Sequence, residues 1–442
     1  MVKLNPEFGF LRLGGNNMYD QSNPLPVGIV GCGGRGLGLG RELQQIKLGR
    51  VVALCDISNQ RIDIARRFFP HAQVAADPAQ LAASDHVHAI IIATPDDTHV
   101  DIALRLRPYH KHLLVEKPLA TSIHDCDRLV RGYQNHTQTV QMVGLCMRYN
   151  NLTQRIHRLV ASGLIGQVLV AHCIDNVSVG GDYYFHRWMS RKKHVVGLLL
   201  QKGCHSLDFI SWIIGSRAAK VHAFGALNYY GGDEPPDKTC STCQRFDECT
   251  ERMERTVRYD YIQEQVRVPD FCAYSREVDV CDNAVVNVLY ENGAKLSYTE
   301  CHFTPDYVRE FAFIGTEGRI YARYPHQGVP EIFISFRHRP RKLFHETVEM
   351  GLGGHAGGDR AMLAEFVQAI NQNRPPLTDL TAGRESAAIA ISAEQSIETG
   401  QVVNVQNVDG SARTVTAPRG LSRHLSRSQL LGQIPSPALC QP

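Results

Sequence analysis

Residues 26–36 read PVGIVGCGGRG, an apolar run that breaks into Gly31-x-Gly33-x-x-Gly36, and this junction constrains the fold more than any other stretch. Glycines at that spacing after a strand let the backbone turn tightly and bring helix N-terminal amides up to a pyrophosphate, where the dipole favours negative charge. A helical stretch follows to about Lys47, and RVVALCDIS then reads as a second strand ending in Asp56. Gly36 and Asp56 are twenty residues apart, the offset at which a carboxylate on the second strand tip reaches the adenosine ribose hydroxyls. Strand, glycines, helix, strand and acid in that order predict a dinucleotide site containing Gly31, Gly33, Gly34, Arg35, Gly36 and Asp56. Asp56 would repel a 2′-phosphate and no arginine follows it directly, so NAD is favoured over NADP, with Arg61 tempering that preference.

The alternation continues through HAIIIATPDDTHVDIAL, HLLVEKPLATS and TVQMVGLCMRYN, three more strands with helices between them. That is the pattern of a parallel sheet with crossover helices. Ligands in such sheets lie beyond the strand C-termini, which places Thr94, Pro95, His99, Glu116 and Lys117 at the cofactor. The division expected along the chain is a leader at 1–25, the nucleotide domain at 26–148, a second domain at 149–405 and a tail at 406–442.

At 442 residues and 43% hydrophobic content there is material for two or three cores. Lys and Arg total 47 against 44 Asp and Glu, a formal charge of +3; no long-range field points to nucleic acid or a membrane surface. No apolar run approaches the roughly 18 residues of a membrane span, and the first residues lack a signal-peptide core, so a cytoplasmic location is expected. Thirteen cysteines, mostly scattered singly, suit a reducing compartment.

A second informative stretch is VVGLLLQKGCHSLDFISW at 195–212. Stepped as a helix, Gln201, His205, Asp208 and Trp212 share one narrow arc with Lys202 at its edge, opposite Leu200, Gly203, Leu207, Ile210 and Ile214. Titratable groups at i, i+4 and i+7 on a rigid element are one way to build a site.

These residues carry a resemblance. The fingerprint at Gly31–Gly36, the Thr94–His99 part of ATPDDTH, EKP at Glu116–Pro118, GLLLQKGCHSLD at Gly197–Asp208 and GGHAGGDRAMLAEFVQAI at 353–370 together resemble the glucose-fructose oxidoreductase and inositol dehydrogenase (Gfo/Idh/MocA) family, over about Pro26 to Val405. The resemblance implies an α/β N-terminal Rossmann domain with a parallel sheet. It also implies a following α/β domain with an open, mainly antiparallel sheet that often joins subunits, here as a homodimer or homotetramer. Two hairpins fit that second domain: NAVVNVLYENGAKLSYTECHF, turning at Asn292-Gly293, and REFAFIGTEGRIYAR. In the family the EKP lysine lies beside the nicotinamide and a histidine on the second-domain helix is the acid/base, which map onto Lys117 and His205.

An NAD-dependent oxidoreductase acting on a secondary hydroxyl of a sugar, sugar acid or cyclitol is therefore expected, with His205 as base and Lys117 stabilising alkoxide. A glycoside-cleaving enzyme using transient oxidation and a non-catalytic sensor are the competing readings. Many relatives carry aspartate where Gln201 stands; glutamine can orient but holds no proton. Lys202, and beyond it Asp208, are the candidate substitutes. The glycine pair common before this helix is replaced by VVG. Arg148, Tyr149, His186, Arg187 and His355 are expected around a polyhydroxylated substrate.

The insertion at about 232–282 contains Cys240-x2-Cys243-x5-Cys249 and then Cys272. Four thiolates can satisfy a tetrahedral structural zinc ion. Ordinary cysteines, a redox-labile pair and an iron–sulfur cluster are the alternatives.

Overall fold

The computed structural model describes residues 18–253 and 270–416. Six strands, β1 (Leu25–Val30), β2 (Gly49–Cys55), β3 (Gln73–Val74), β4 (Ala89–Ile92), β5 (His112–Val115) and β6 (Gln141–Val143), form the first sheet in the order β3-β2-β1-β4-β5-β6. All its pairings are parallel. The order reverses between β1 and β4, so the crevice above their C-terminal ends is the natural ligand position. Helices α1 (Gly34–Gln45), α2 (Asn59–Phe68), α3 (Pro78–Ala83), α4 (His99–Leu106) and α5 (Ile123–Tyr133) make the crossovers. The strands are apolar without alternation, as sheets covered on both faces require; β4, AIII, is buried throughout.

After α6 (Asn151–Ala161), β7 (Val168–Asn176), α7 (Lys192–Val195), α8 (Cys204–Ile214) and β8 (Ala218–Ala226) open the second domain. The strands β9 (Asn283–Tyr290), β10 (Lys295–Cys301), β11 (Val308–Gly315), β12 (Gly318–Pro325), β13 (Glu331–Phe336) and β14 (Arg339–Thr347) follow. Helices α9 (Gly358–Asn371) and α10 (Leu380–Thr399) and the short β15 (Val403–Asn404) complete it. Nine strands run in the order β14-β13-β12-β11-β7-β10-β9-β8-β15, antiparallel except for β7 with β10. Both expected hairpins are present, β9–β10 turning at Asn292-Gly293 and β11–β12. Burial alternates along β9 and β10, so one face packs against α8 and α10 and the other is open.

Two boundaries differ from a linear division. Helix α9 packs on the first sheet: Met362, Leu363, Phe366 and Ile370 share a core with Leu25, Val27, Ala89 and Ile91. The chain after Val405 stays docked as far as the described residues reach; Arg413 makes two 2.6 Å bonds to Glu385 and donates to the Ala218 carbonyl. The rest of the expected tail, and most of the leader, lie outside the described residues. Among the described residues no helix is long and apolar enough to cross a membrane.

Candidate active site

The ends of β1, β2, β4 and β5 meet as the motif spacing requires. Gly31 has φ +93°, and a Cβ there would fall 2.5 Å from the Ala93 carbonyl, so the turn admits only glycine. At Gly33, which precedes α1, a Cβ would meet only the tip of Arg61 at 3.9 Å. No side chain caps α1 there. Its first amides are left for an anion, and the open cradle fits a dinucleotide pyrophosphate. Asp56 is fixed at the β2 tip by the Cys32 and Ser58 amides, which donate to it at 2.7 and 2.8 Å.

Other members of the expected cofactor set serve the architecture. Arg35 donates to Glu116 at 2.6 Å and forks onto Asp359 at 2.7 and 2.8 Å, clamping α1 to the EKP turn and to α9. Its side chain is therefore spent on carboxylates. His99 is fully buried, with one ring nitrogen 2.9 Å from the Pro118 carbonyl and the other 3.0 Å from that of Thr94. It ties two loops together and is corrected from cofactor contact to strut; Thr94 and Pro95 keep their place at the strand tip. Glu116 is likewise committed, to Arg35 and to the Lys117 amide at 3.0 Å.

Lys117 reaches across the cleft, its ammonium donating to the Gln201 carbonyl at 2.7 Å and to Gln201 Oε1 at 3.2 Å. Burial opposes its charge, but the acidic groups of Cys204, Asp96, Glu116 and Tyr183 around it outweigh burial and hold its pKa above the ordinary lysine value. It stands as a cation. His205 is the opposite case: burial, then the positive charges of Lys117, His355, Arg309 and Arg35, drive its pKa well down. The imidazole is neutral, and its buried Nδ1 has no hydrogen-bond partner within the protein. Ligand-type atoms of Cys146, His205 and His355 lie within 4.8 Å of one another at the cleft floor.

The second-domain segment is no single helix. Lys192–Val195 (α7) is a single helical turn, Leu199–Gly203 is π-helical, and α8 starts at Cys204. The wider turn changes the phase on which the one-arc reading depended. Gln201 and His205 face the cleft, but Lys202 turns to a buried ion pair with Asp175, which also accepts from Arg309 at 3.2 Å and Ser206 at 2.9 Å. Lys202 is thus corrected from catalytic candidate to buttress. Asp208 is forked by Arg148 at 2.8 and 2.6 Å, and Trp212 stacks on His157.

That pair also corrects Arg148 as a substrate residue, and Tyr149, whose hydroxyl lies 3.0 Å from that of Thr378 in the interior. His186 belongs to the cysteine lobe, its ring nitrogens 2.5 and 2.6 Å from the carbonyls of Phe271 and Glu251. Arg187 and His355 remain near the cleft. Arg187 lies over Tyr183, 5.0 Å from the ring centre, and Tyr183 is close enough to act on the Lys117 charge. His355 is 5.5 Å from His205 between ring centres and is held by Asp359 at 3.0 Å.

Sequence reasoning missed Asp96, Asp175, Arg309 and Tyr183. Asp96 matters most. It is 5% exposed, hydrogen-bonds the Gln201 side chain and lies near Lys117; burial, against the pull of His99 and Lys117, pushes its carboxyl up to about 6. The carboxylate expected at position 201 therefore stands on the other wall of the cleft. The signal was in ATPDDTH: an acid one residue past the proline at a strand tip.

Comparison with known proteins fits this geometry. Residues 25–144 match the model of an oxidoreductase family with an NAD-binding Rossmann fold, and 157–405 match that family's C-terminal alpha/beta domain. The protein YteT of Bacillus subtilis (strain 168) is 26% identical over 384 residues, 78% of this chain and 88% of YteT. Inositol 2-dehydrogenase of Burkholderia multivorans is 31% identical over 194 residues, 43% of this chain and 55% of that protein, so this match spans about half of the relative. Among solved structures, levoglucosan dehydrogenase in complex with NADH and levoglucosan superposes with a TM-score of 0.67 at 17% identity, covering 87% of this chain and all of that one. Aldose-aldose oxidoreductase from Caulobacter crescentus gives a TM-score of 0.65 at 16% identity, covering 86% and 99%. At such identities the structures speak for the fold, and the two family matches, which take in most of the chain, establish that it belongs to the Gfo/Idh/MocA family of NAD-binding oxidoreductases.

Proposed function

We propose that this protein oxidises a secondary hydroxyl of a sugar, sugar acid or cyclitol, with NAD as the physiological cofactor. The observation that carries the reading is the neutral His205 with an unpartnered Nδ1 beside a charged Lys117, at the sheet edge where a nicotinamide would lie. Bound NAD would accept a hydride from the alcohol carbon. The His205 imidazole takes the hydroxyl proton, a task that needs it neutral, and the Lys117 ammonium holds the developing alkoxide. Gln201 keeps Lys117 in place, and Asp96 balances its charge from the opposite wall. Arg187, Tyr183 and Arg309 offer donors and rings of the kind that suit a polyhydroxylated substrate. Asp56 at the β2 tip supports NAD over NADP.

Purified protein incubated with NAD and a panel of polyols, sugars and sugar acids should accumulate reduced nicotinamide with at least one of them. Bond cleavage without net NADH would instead favour the transient-oxidation reading. Sugar binding with no turnover across the panel would favour a sensor.

The same proposal extends to assembly through the open sheet face. Phe224, Val285 and Ile174 stand in register across it, paired through Thr299, with relative exposures of 65, 40 and 44%. Such an aligned apolar row suits contact with a second copy. Light scattering should give a dimer or tetramer, and Phe224→Glu with Val285→Glu should shift it towards monomer.

A further inference from the structure

Among the described residues the sulfurs of Cys240, Cys243, Cys249 and Cys272 do not gather as a metal ion requires, which corrects the zinc site expected in the insertion. A ligand group forms instead at the cleft floor, from three segments that no sequence motif joins: Cys146, His205 and His355, whose ligand atoms all lie within 4.8 Å of one another. Cys146 opens the 3₁₀ turn Cys146–Tyr149 beyond β6, His205 is the second residue of α8, and His355 lies in the turn Gly354–Gly357 that leads into α9.

The packing holds the three together. Gly358 lets α9 start against the Cys146 carbonyl, where a Cβ would fall 2.7 Å from the oxygen. His355 and Ala356 both take left-handed backbone conformations, φ +50° and +53°, strain of the kind that collects at ligand sites. The Asp359 carboxylate accepts from His355 Nδ1 at 3.0 Å, which leaves Nε2 of the neutral ring with its lone pair. A carboxylate behind a histidine in this way is the usual support of a metal-ligating imidazole. His205 is 6% exposed, and its Nδ1 has no hydrogen-bond partner.

Three atoms no more than 4.8 Å apart share a point within about 2.8 Å of each, against zinc–sulfur and zinc–imidazole bonds of about 2.3 and 2.0–2.1 Å. Side-chain shifts of under about 1 Å would therefore bring all three onto one ion. Two nitrogens and a sulfur suit a borderline-soft cation, whereas magnesium and calcium need oxygen. His355, the exposed member, gives an ion its way in from solvent. Arg35 and Lys117 oppose a further positive charge, but Glu116 and Asp359 stand against the first, and Asp96 and Glu116 against the second. Arg309, which also acts on His205, is paired with Asp175. Binding releases the Cys146 proton to solvent, and the thiolate adds one negative charge.

We propose that Cys146, His205 and His355 bind a zinc ion, its fourth position open to the cleft, and that the bound ion turns the oxidation off. The second half rests on the reading of His205 as the base. A neutral imidazole has one lone pair, and a metal that takes it leaves none for the hydroxyl proton.

The full chain, stripped with a chelator and freed of it, is titrated with cobalt(II) in the absence of NAD. Wild type should take up one cobalt per chain and show thiolate-to-metal absorption, which zinc bleaches. Cys146→Ser should lose that band and bind zinc at least tenfold more weakly, while its zinc-free turnover stays within a few-fold of wild type. Cys243→Ser, in the insertion, should keep the band. If Cys146→Ser does not fold, His355→Ala, at an exposed position, should weaken zinc by a similar factor. In the wild type, zinc should inhibit in competition with the alcohol, and a chelator should restore the full rate. A wild type without the thiolate band, zinc held as tightly by Cys146→Ser or His355→Ala, or turnover that a chelator abolishes would each overturn the proposal. The cobalt spectrum needs no turnover, so a failed site shows there with activity intact. A failed oxidoreductase reading shows instead as no turnover beneath a normal spectrum, which removes the inhibitory half.

Discussion

Lys117, half-buried in the cleft, and Lys202, buried, stand 85 positions apart in the chain and are held in opposite ways. Lys117, two residues past the end of β5, donates to a carbonyl and an amide oxygen of Gln201, acceptors without charge. Lys202, in the π-helical turn, is paired with the Asp175 carboxylate, which is itself gripped by Arg309, Ser206 and Tyr298. A cation whose hydrogen bonds go to neutral acceptors, with Asp96 and Glu116 acting on it from nearby, can exchange them for a substrate oxygen. One spent on a carboxylate holds walls together. The comparison teaches that burial alone does not mark a catalytic lysine; the charge of its partner does.

The comparison can be broken first at its kinetic end. Lys117→Met and His205→Ala should each bind NAD nearly normally yet lose roughly 10²-fold or more in turnover, the scale of one acid/base or electrostatic group. Loss of NAD binding in both would mean that they shape the cleft and do not react in it.

Lys202→Met should show the reverse pattern. Removing one member of a buried ion pair costs up to about 3–5 kcal/mol, less here because Arg309 still pairs with Asp175. Denaturant melts should register that loss. A full-strength fold with abolished turnover would return Lys202 to the reacting groups.

The pH profile sharpens the role of Gln201 and Asp96. With its carboxyl pushed up to about 6 by burial, Asp96 gains its charge as pH rises through that value, and turnover should rise with it. Asp96→Asn should remove that acid limb. Gln201→Asp places a second carboxylate beside it, so Asp96 should hold its proton to higher pH and the limb should move up. His205, already neutral over this range, should contribute nothing to the limb.

The smallest effect concerns the approach to the π-helical turn. Val196 sits at φ +65°, ψ −53°, with the Gly197 amide donating to the Val195 carbonyl at 2.7 Å, a strained γ-turn for a β-branched residue. Val196→Gly should relieve strain of about 1–3 kcal/mol, reduced by glycine's extra entropy of about 0.5–1 kcal/mol. An unchanged or lower melting temperature would show the turn to be unstrained.

The first sheet was legible because its signals are local: apolar strands, glycines where the backbone must approach, and Asp56 at a fixed offset. Lys117 and His205 were legible through motifs. Partners were not. Arg148, Tyr149 and His99 were placed at the cleft because polar residues beyond strand ends often face ligands, and His186 because a polar ring suits a polyhydroxylated substrate, but each is taken by a carboxylate, a hydroxyl or carbonyls from another segment. Stepping at 100° could not reveal the π-helical turn that parts Lys202 from Gln201. Nor could linear order show that Asp96 approaches Gln201 from the other domain, a contact made only when both are folded.

The most direct test measures turnover per folded, NAD-loaded molecule for Lys117→Met and Lys202→Met side by side, at a temperature where both are native. Turnover should fall roughly 10²-fold or more for Lys117→Met and stay within a few-fold of wild type for Lys202→Met. Equal losses, or a larger loss at Lys202, would contradict the assignment of Lys117 as the reacting cation.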